Sequence, residues 1–365
     1  MTTNTQVQNS KNEKANVKQP IIDVDVHEML PNLKHIAKYL DQPWKRWVTD
    51  TLWGGLRQLP YVQHLDGGVE RVDAKPGDGR PAGSDYVLMK QQLLDEYNVE
   101  HAILTGLFYP STMRAQFEFG TALASAYNDY QIKEWLEKDS RFKGSVHINC
   151  HEPEKAAYEI DRVGQHPQMV QVLLPIGDFA YGDPRFHPIF EAAQRNGLHI
   201  AMHQSTRTTT ALDNGYPRYF IEWHSLLPQA FMSQVVSLVC NGVFEKFPNL
   251  KCILLEGGFV WIPALMWRLD HNYKSLRREV PWLKRMPSQV IREHFHAATQ
   301  PIEQPDPKEM LQMVEMIGND KFLLFATDYP HWDFDDPNTS LPTTFSKELK
   351  RKILYDNAKE LYGFK

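Results

Sequence analysis

The sequence predicts an α/β protein, a (β/α)8 barrel of the TIM type with a long insertion after its first strand. Three observations predict it: eight short apolar or β-branched runs recur along the 365 residues, segments of helical periodicity separate them, and polar residues of ligand type close several of the runs. The strands are read at residues 21–27, 99–105, 144–149, 169–175, 198–203, 250–256, 294–299 and 322–328, the seventh having the weakest strand composition. Helices are read at 86–96, 154–163 and 187–196, and Gly197 stands where the last of these stops.

Residues 1–20, rich in Asn, Gln, Lys and Thr, read as a flexible arm and carry no apolar run of signal-peptide or anchor type. The remainder, 21–365, reads as a single barrel domain. Between the first strand and the first helix, the insertion 30–84 carries Trp44, Trp47 and Trp53 and a Pro- and Gly-rich piece at 75–83. A loop this long is usually functional, and it is expected to hold short helices and to cover the catalytic mouth, where the loops after the strands gather.

A formal net charge of -5 offers no basic field for phosphates, so nucleic acid is excluded as a partner. No stretch approaches the roughly 20 apolar residues needed to span a bilayer, so no membrane is expected either. Three scattered cysteines, Cys150, Cys240 and Cys252, point to reduced thiols and a cytoplasmic setting.

The chemistry gathers at strand ends. In Asp23-Val-Asp25-Val-His27, strand alternation predicts that all three polar side chains face inward together. Burying two carboxylates beside an imidazole is costly without a compensating charge, which a cation or a paired Arg or Lys can provide. His203 closes the fifth run and Asp328 the eighth, which makes two imidazoles and two carboxylates at the end of the barrel that carries catalysis. This donor set suits a divalent first-row metal. Gly257-Gly258 lacks the Lys and Ser or Thr of a phosphate loop, and no organic cofactor is expected. Trp261 and Trp267 are read as packing residues.

On these residues, and on Glu256-Gly-Gly-Phe-Val-Trp-Ile-Pro263, Trp267-Arg-Leu-Asp270, Thr299-Gln-Pro301 and Ala326-Thr-Asp-Tyr-Pro-His-Trp-Asp333 in this order, the chain resembles the amidohydrolase-related family, the branch that includes aminocarboxymuconate semialdehyde and γ-resorcylate decarboxylases. The resemblance runs from about Ile21 to Leu361. It implies that Asp25 and His27 are first-strand ligands, His203 the fifth-strand ligand, and Asp328 a ligand that also moves protons. It also implies that His224 contacts substrate or an inner ligand, with Glu222 orienting it; the alternative is a helix histidine packed among aromatic rings. Glu256, where many amidohydrolases place a histidine, is read either as a further ligand or as a carboxylate fixing a ligand or Arg268. His331, on a loop past Asp328, is read as lining the mouth, as are His294 and His296 if they are not simply satisfied by their surroundings.

The fourth-strand region 169–176 offers no Lys or Glu to bridge two metals, so one divalent ion is expected, Zn, Mn or Fe, with a second allowed if Glu256 and His224 both coordinate. The expected function is a metal-dependent decarboxylase or hydrolase of a small carboxylic acid, with Asp328 transferring the proton. A non-heme iron oxygenase on the same scaffold is the second reading and a non-catalytic structural subunit the third. The family resemblance favours a homodimer or higher oligomer, with a related subunit as an alternative partner.

Overall fold

A computed structural model describes residues 19–51, 69–106, 116–177, 179–205, 217 and 219–365. The N-terminal arm to residue 18, Trp53 and the middle of the insertion lie outside the described residues. Eight parallel strands form one sheet in sequential order: β1 (Ile21–Val26), β2 (Val99–Leu104), β3 (Phe142–His147), β4 (Met169–Pro175), β5 (His199–His203), β6 (Cys252–Leu255), β7 (Phe295–Ala298) and β8 (Leu323–Leu324). β8 is far shorter than the apolar run 322–328. Past Leu324 its chain meets β1 through separate bonds, Val24 N–H to Phe325 O at 3.0 Å, Asp328 N–H to Asp25 O at 3.2 Å and His27 N–H to Tyr329 O at 2.7 Å. These bonds bring the eighth strand's chain against the first, as a (β/α)8 barrel requires.

The strands sort their side chains by alternation. Ile22, Val24, Ile103, Leu173, Ala201, Ile253, Leu255, Ala298, Leu324 and Ala326 form the inner cluster of the barrel, while the intervening residues join the larger core shared with the helices. Tyr362 closes the lower end of the interior, its hydroxyl donating to Gln171 Oε1 at 2.7 Å. The helices fall close to where periodicity placed them, at Pro153–Val163 and His187–Arg195. Tyr86–Met89 continues, more widely wound, through Lys90–Asp95. Gly197 has φ +69°, the left-handed conformation that ends helices.

The first strand departs from simple alternation. Asp23 pairs with Ala102 and Val26 with Leu104, so β1 spends three steps where β2 spends two, which is a bulge. Ile22 and Val24 face inward before it and Val26 faces outward after it. Asp25 and His27 therefore reach the interior, but Asp23 does not share their face. Its carboxylate lies against Thr327 of the neighbouring chain, which corrects the expectation of three co-facing side chains.

The insertion holds short helical segments at Leu33–Lys38, Trp44–Asp50 and Val72–Ala74. Its described far end runs beside the loop that follows Asp328. Arg71 N–H donates to Pro330 O and Trp332 N–H to Val69 O, each at 2.8 Å, and Glu70 bridges His331 in antiparallel fashion. This part of the insertion thus lies against the loop that carries His331. Among the described residues, no helix is long and apolar enough to cross a membrane.

Candidate metal centre

Strand ends deliver each side chain of the cluster. Asp25 and His27 come from β1 at and beyond the bulge, His203 is the last residue of β5, Glu256 follows β6, and Asp328 lies on the chain after β8. Glu256 and Asp328 have φ of 58° and 60°, a left-handed conformation that costs an L-residue about 1–2 kcal/mol and that collects at functional sites. Asp25, His27, His203 and Asp328 are fully buried, and Glu256 nearly so.

His27 Nε2 lies 2.8 Å from Asp328 Oδ1 and 3.4 Å from Asp25 Oδ1. His203 Nε2 lies 3.1 Å from Glu256 Oε2 and 3.5 Å from Asp25 Oδ2. The other ring nitrogen of each imidazole faces a backbone carbonyl, His27 Nδ1 that of Gly106 at 3.3 Å and His203 Nδ1 that of Gln204 at 2.6 Å. A proton placed on Nδ1 by these carbonyls leaves the Nε2 lone pair directed at the carboxylates, which is how a metal-ligating histidine is oriented. Thr105 Oγ1 donates to Asp25 Oδ1 at 2.7 Å, and Gln204 Nε2 reaches both Glu256 oxygens at 3.3 Å. His331 Nδ1 stands 2.8 Å from each oxygen of Asp328.

Two overlapping sets of donors emerge. Asp25, His27 and His203 offer atoms within 4.8 Å of one another, and so do His27, Glu256, Asp328 and His331. Of the residues read as ligands, Asp25, His27 and His203 thus gather in one set; Asp328 and Glu256 gather in the other, joined to the first through His27. Asp25 Oδ2 and His27 Nε2 are buried, the first 3.5 Å from His203 Nε2 and the second 2.8 Å from Asp328 Oδ1. A divalent cation fits the chemistry of this mixed imidazole and carboxylate set.

The electrostatics are those of acids packed without lysine or arginine partners among the described residues. Burial alone would lower the His203 imidazole, but the Asp25 and Glu256 carboxylates raise it well above its ordinary value. Burial would likewise lower His331, and Asp328 lifts it to about 9. The reciprocal effects hold the acids ionised. Burial pushes Glu256 up, yet the His203 contact and the neighbouring imidazoles bring it to about 2; Asp328 is lowered against burial chiefly by His331. Asp333, farther out, is raised to about 8 by burial and by the charges of Asp328 and Glu256.

His224 belongs to neither donor set. It stacks on Phe220 with ring centroids 5.6 Å apart, and its Nε2 lies 3.5 Å from Asp333 Oδ2. Glu222, expected to orient His224, serves the start of its helix: its Oε2 accepts from Tyr219 N–H at 2.9 Å and caps Phe220–Cys240. Arg268 is exposed, and Glu256 is held by Gln204 and His203 instead. His294 and His296 are satisfied by the carbonyls of Leu250 and Lys321. Trp261 packs inside, whereas Trp267 is 56% exposed and corrects the packing expectation. Thr105, Gln204 and Asp333 went unrecognised in the sequence. The first two adjoin strand ends, and Asp333 closes the motif at 326–333, but nothing in the sequence assigned any of them a partner.

A family model described as Amidohydrolase matches residues 22–364. The γ-resorcylate decarboxylase of Polaromonas sp. strain JS666 is 24% identical over 74% of this chain and 85% of its own. The 2-amino-3-carboxymuconate-6-semialdehyde decarboxylase of Dictyostelium discoideum is 26% identical over 66% of each chain. Among solved structures, 2,6-dihydroxybenzoate decarboxylase from Rhizobium superposes with a TM-score of 0.68 at 19% identity, covering 94% of this chain and 99% of that one. A dihydroxybenzoic acid decarboxylase from Polaromonas sp. JS666, solved with manganese and the inhibitor 2-nitroresorcinol, gives 0.66 at 19% identity over 94% and 97%. At these identities the structural likeness speaks for the shared barrel.

Proposed function

The chain belongs to the amidohydrolase family, and from that premise we propose that it is a metal-dependent decarboxylase of an aromatic carboxylic acid, built on one domain spanning residues 21–365. The observation that carries the reading is the buried meeting of Asp25, His27 and His203 at the carboxyl ends of β1 and β5, with Asp328 2.8 Å from His27. Decarboxylases among its relatives, and manganese in the structure of one, support it.

In this reading Asp25, His27, His203 and Asp328 hold one divalent first-row cation, manganese first, with Glu256 in reach as a further ligand. When bound, the cation supplies Lewis-acid stabilisation of charge on the substrate's oxygens. Thr105 and the Gly106 and Gln204 carbonyls keep the ligand atoms aimed at one point. His331 holds the proton of the Asp328–His331 pair, since Asp328 is kept ionised beside it. As the bond from the ring to the carboxylate breaks and carbon dioxide leaves, its electron pair stays on the ring carbon. Asp328 passes the His331 proton to that carbon. His224, paired with Asp333, borders the mouth and contacts substrate. Homo-oligomeric assembly and a cytoplasmic setting belong to the same proposal.

The test is turnover of dihydroxybenzoic acids by the manganese-loaded protein, read as carbon dioxide release, and its loss in Asp328→Asn. Loss of proton transfer should lower kcat by at least about 100-fold in a variant that still binds manganese; turnover within about twofold of wild type removes Asp328 from the proton path. One observation keeps an iron oxygenase as the second reading: the set His27, Glu256, Asp328 and His331 has donors for a second ion. Oxygen consumed in step with substrate would favour it over decarboxylation.

A further inference from the structure

The seam between β1 and the chain after β8 holds two proposed ligands, yet among the described residues it carries no regular ladder, the pairing of β8 being with β7 and ending at Leu324. Single backbone bonds cross it, and beside them one buried carboxylate ties the two segments together through its side chain. Asp23 Oδ1 accepts from the Thr327 amide at 3.0 Å and from the Asp25 amide at 3.3 Å, and its Oδ2 accepts from Thr327 Oγ1 at 2.5 Å. Thr327 Oγ1 accepts in turn from the Tyr329 amide at 3.1 Å. Asp23 and Thr327 are both fully buried, so water cannot replace these bonds.

We propose that Asp23 is a positioning residue of the metal centre, bolting β1 to the chain after β8 and so setting the backbone from which Asp25 and Asp328 project; the inference rests on the metal reading above. A bulge leaves its extra residue without a regular ladder partner, and Asp23 accepts the Asp25 amide that lies inside this one. On the other side of the seam, Asp328 sits at φ 60°. Such a conformation persists only where its surroundings over-determine it, and the Asp23–Thr327 pair fixes the amides of the residues before and after Asp328. Three donors converge on Asp23, so only an acceptor with two oxygens serves them all. Asparagine in its place would turn an N–H toward one of these donors.

The experiment uses the full chain, stripped of metal and titrated with Mn2+, with free Mn2+ followed by electron paramagnetic resonance and the fold checked by circular dichroism. Asp23→Asn should bind Mn2+ about 10–100-fold more weakly, as loss of a ligand's supporting partner does. Thr327→Val should show a similar loss, and Thr327→Ser, which keeps the hydroxyl, should stay within about threefold of wild type. A carboxylate that only stabilises the fold would lower the melting temperature of Asp23→Asn and leave the Mn2+ affinity of the folded protein unchanged, and that result overturns the proposal. If Asp23→Asn does not fold, the threonine pair decides, and equal affinities for the Val and Ser variants overturn it. Failure of the wild-type chain itself to bind Mn2+ overturns the metal reading, and this inference with it.

Discussion

Gly106→Ala is expected to destabilise the protein by about 2–5 kcal/mol and to loosen its grip on the cation. Gly106 has φ +60°, where alanine pays about 1–2 kcal/mol. Its added methyl would also press inside van der Waals contact of the Tyr127 hydroxyl and lie 3.0 Å from two carbons of that ring, and overpacking of this kind costs about 1–3 kcal/mol. Tyr127 is fully buried and cannot yield cheaply, because its hydroxyl donates to the Glu28 carboxylate at 3.0 Å and lies 3.2 Å from the Glu28 carbonyl. Since the Gly106 carbonyl faces His27 Nδ1, Mn2+ affinity should fall roughly tenfold or more as well. Urea unfolding of the stripped protein and Mn2+ titration read the two effects. A stability loss under about 1 kcal/mol, with unchanged affinity, would refute the claim that this strand end is a rigid support for His27.

His147 is buried among neutral neighbours and its imidazole is depressed to about 3. Because the unfolded chain takes up this proton below about pH 6.5 and the folded one does not, stability should fall as pH drops from about 6.5 toward 3, by about 1.4 kcal/mol per unit for this group. His147→Leu should remove that slope, and parallel pH profiles of wild type and variant in urea melts would contradict it. Mn2+ affinity should rise with pH, by up to about tenfold per unit for each proton displaced. Burial would lower the His203 imidazole, but the Asp25 and Glu256 carboxylates hold it well above its ordinary value, and it must give up its Nε2 proton to serve as a ligand. Calorimetry in buffers of different ionisation enthalpy should then detect proton release, and its absence would count against imidazole ligands. Tyr362→Phe leaves the buried Gln171 Oε1 without its donor at 2.7 Å and should cost about 1–3 kcal/mol in urea unfolding; a change near zero would deny the lower plug its structural part.

The strands were legible because a barrel strand buried on both faces is a short apolar run, and such runs stand out between amphipathic helices. The ligand-type residues were legible because they close those runs. What alternation could not reveal is the extra residue in β1, since a bulge has no signature in a pattern of period two. It turned Asp23 from an expected inward neighbour of Asp25 into an outer tie to Thr327. β8 proved shorter than its apolar run for a related reason: from Phe325 onward the backbone bonds singly, to β1 and to the side chain of Thr299 just past β7, the Ala326 amide meeting Thr299 Oγ1 at 3.3 Å. The contacts that Gln204 and Asp333 make are fixed by folding across distant segments, and neither composition nor spacing marks those contacts. The surroundings of His224 were hidden for the same reason, because Asp333 lies far along the chain.

The central claim is that carboxylates and imidazoles from β1, β5 and the chain after β8 share one cation. A crystal structure of the manganese-loaded protein, with anomalous diffraction at the manganese edge, measures it most directly. The predicted result is an anomalous peak about 2.0–2.3 Å from donor atoms of Asp25, His27, His203 and Asp328. A fully loaded crystal with no peak among those four side chains would contradict it.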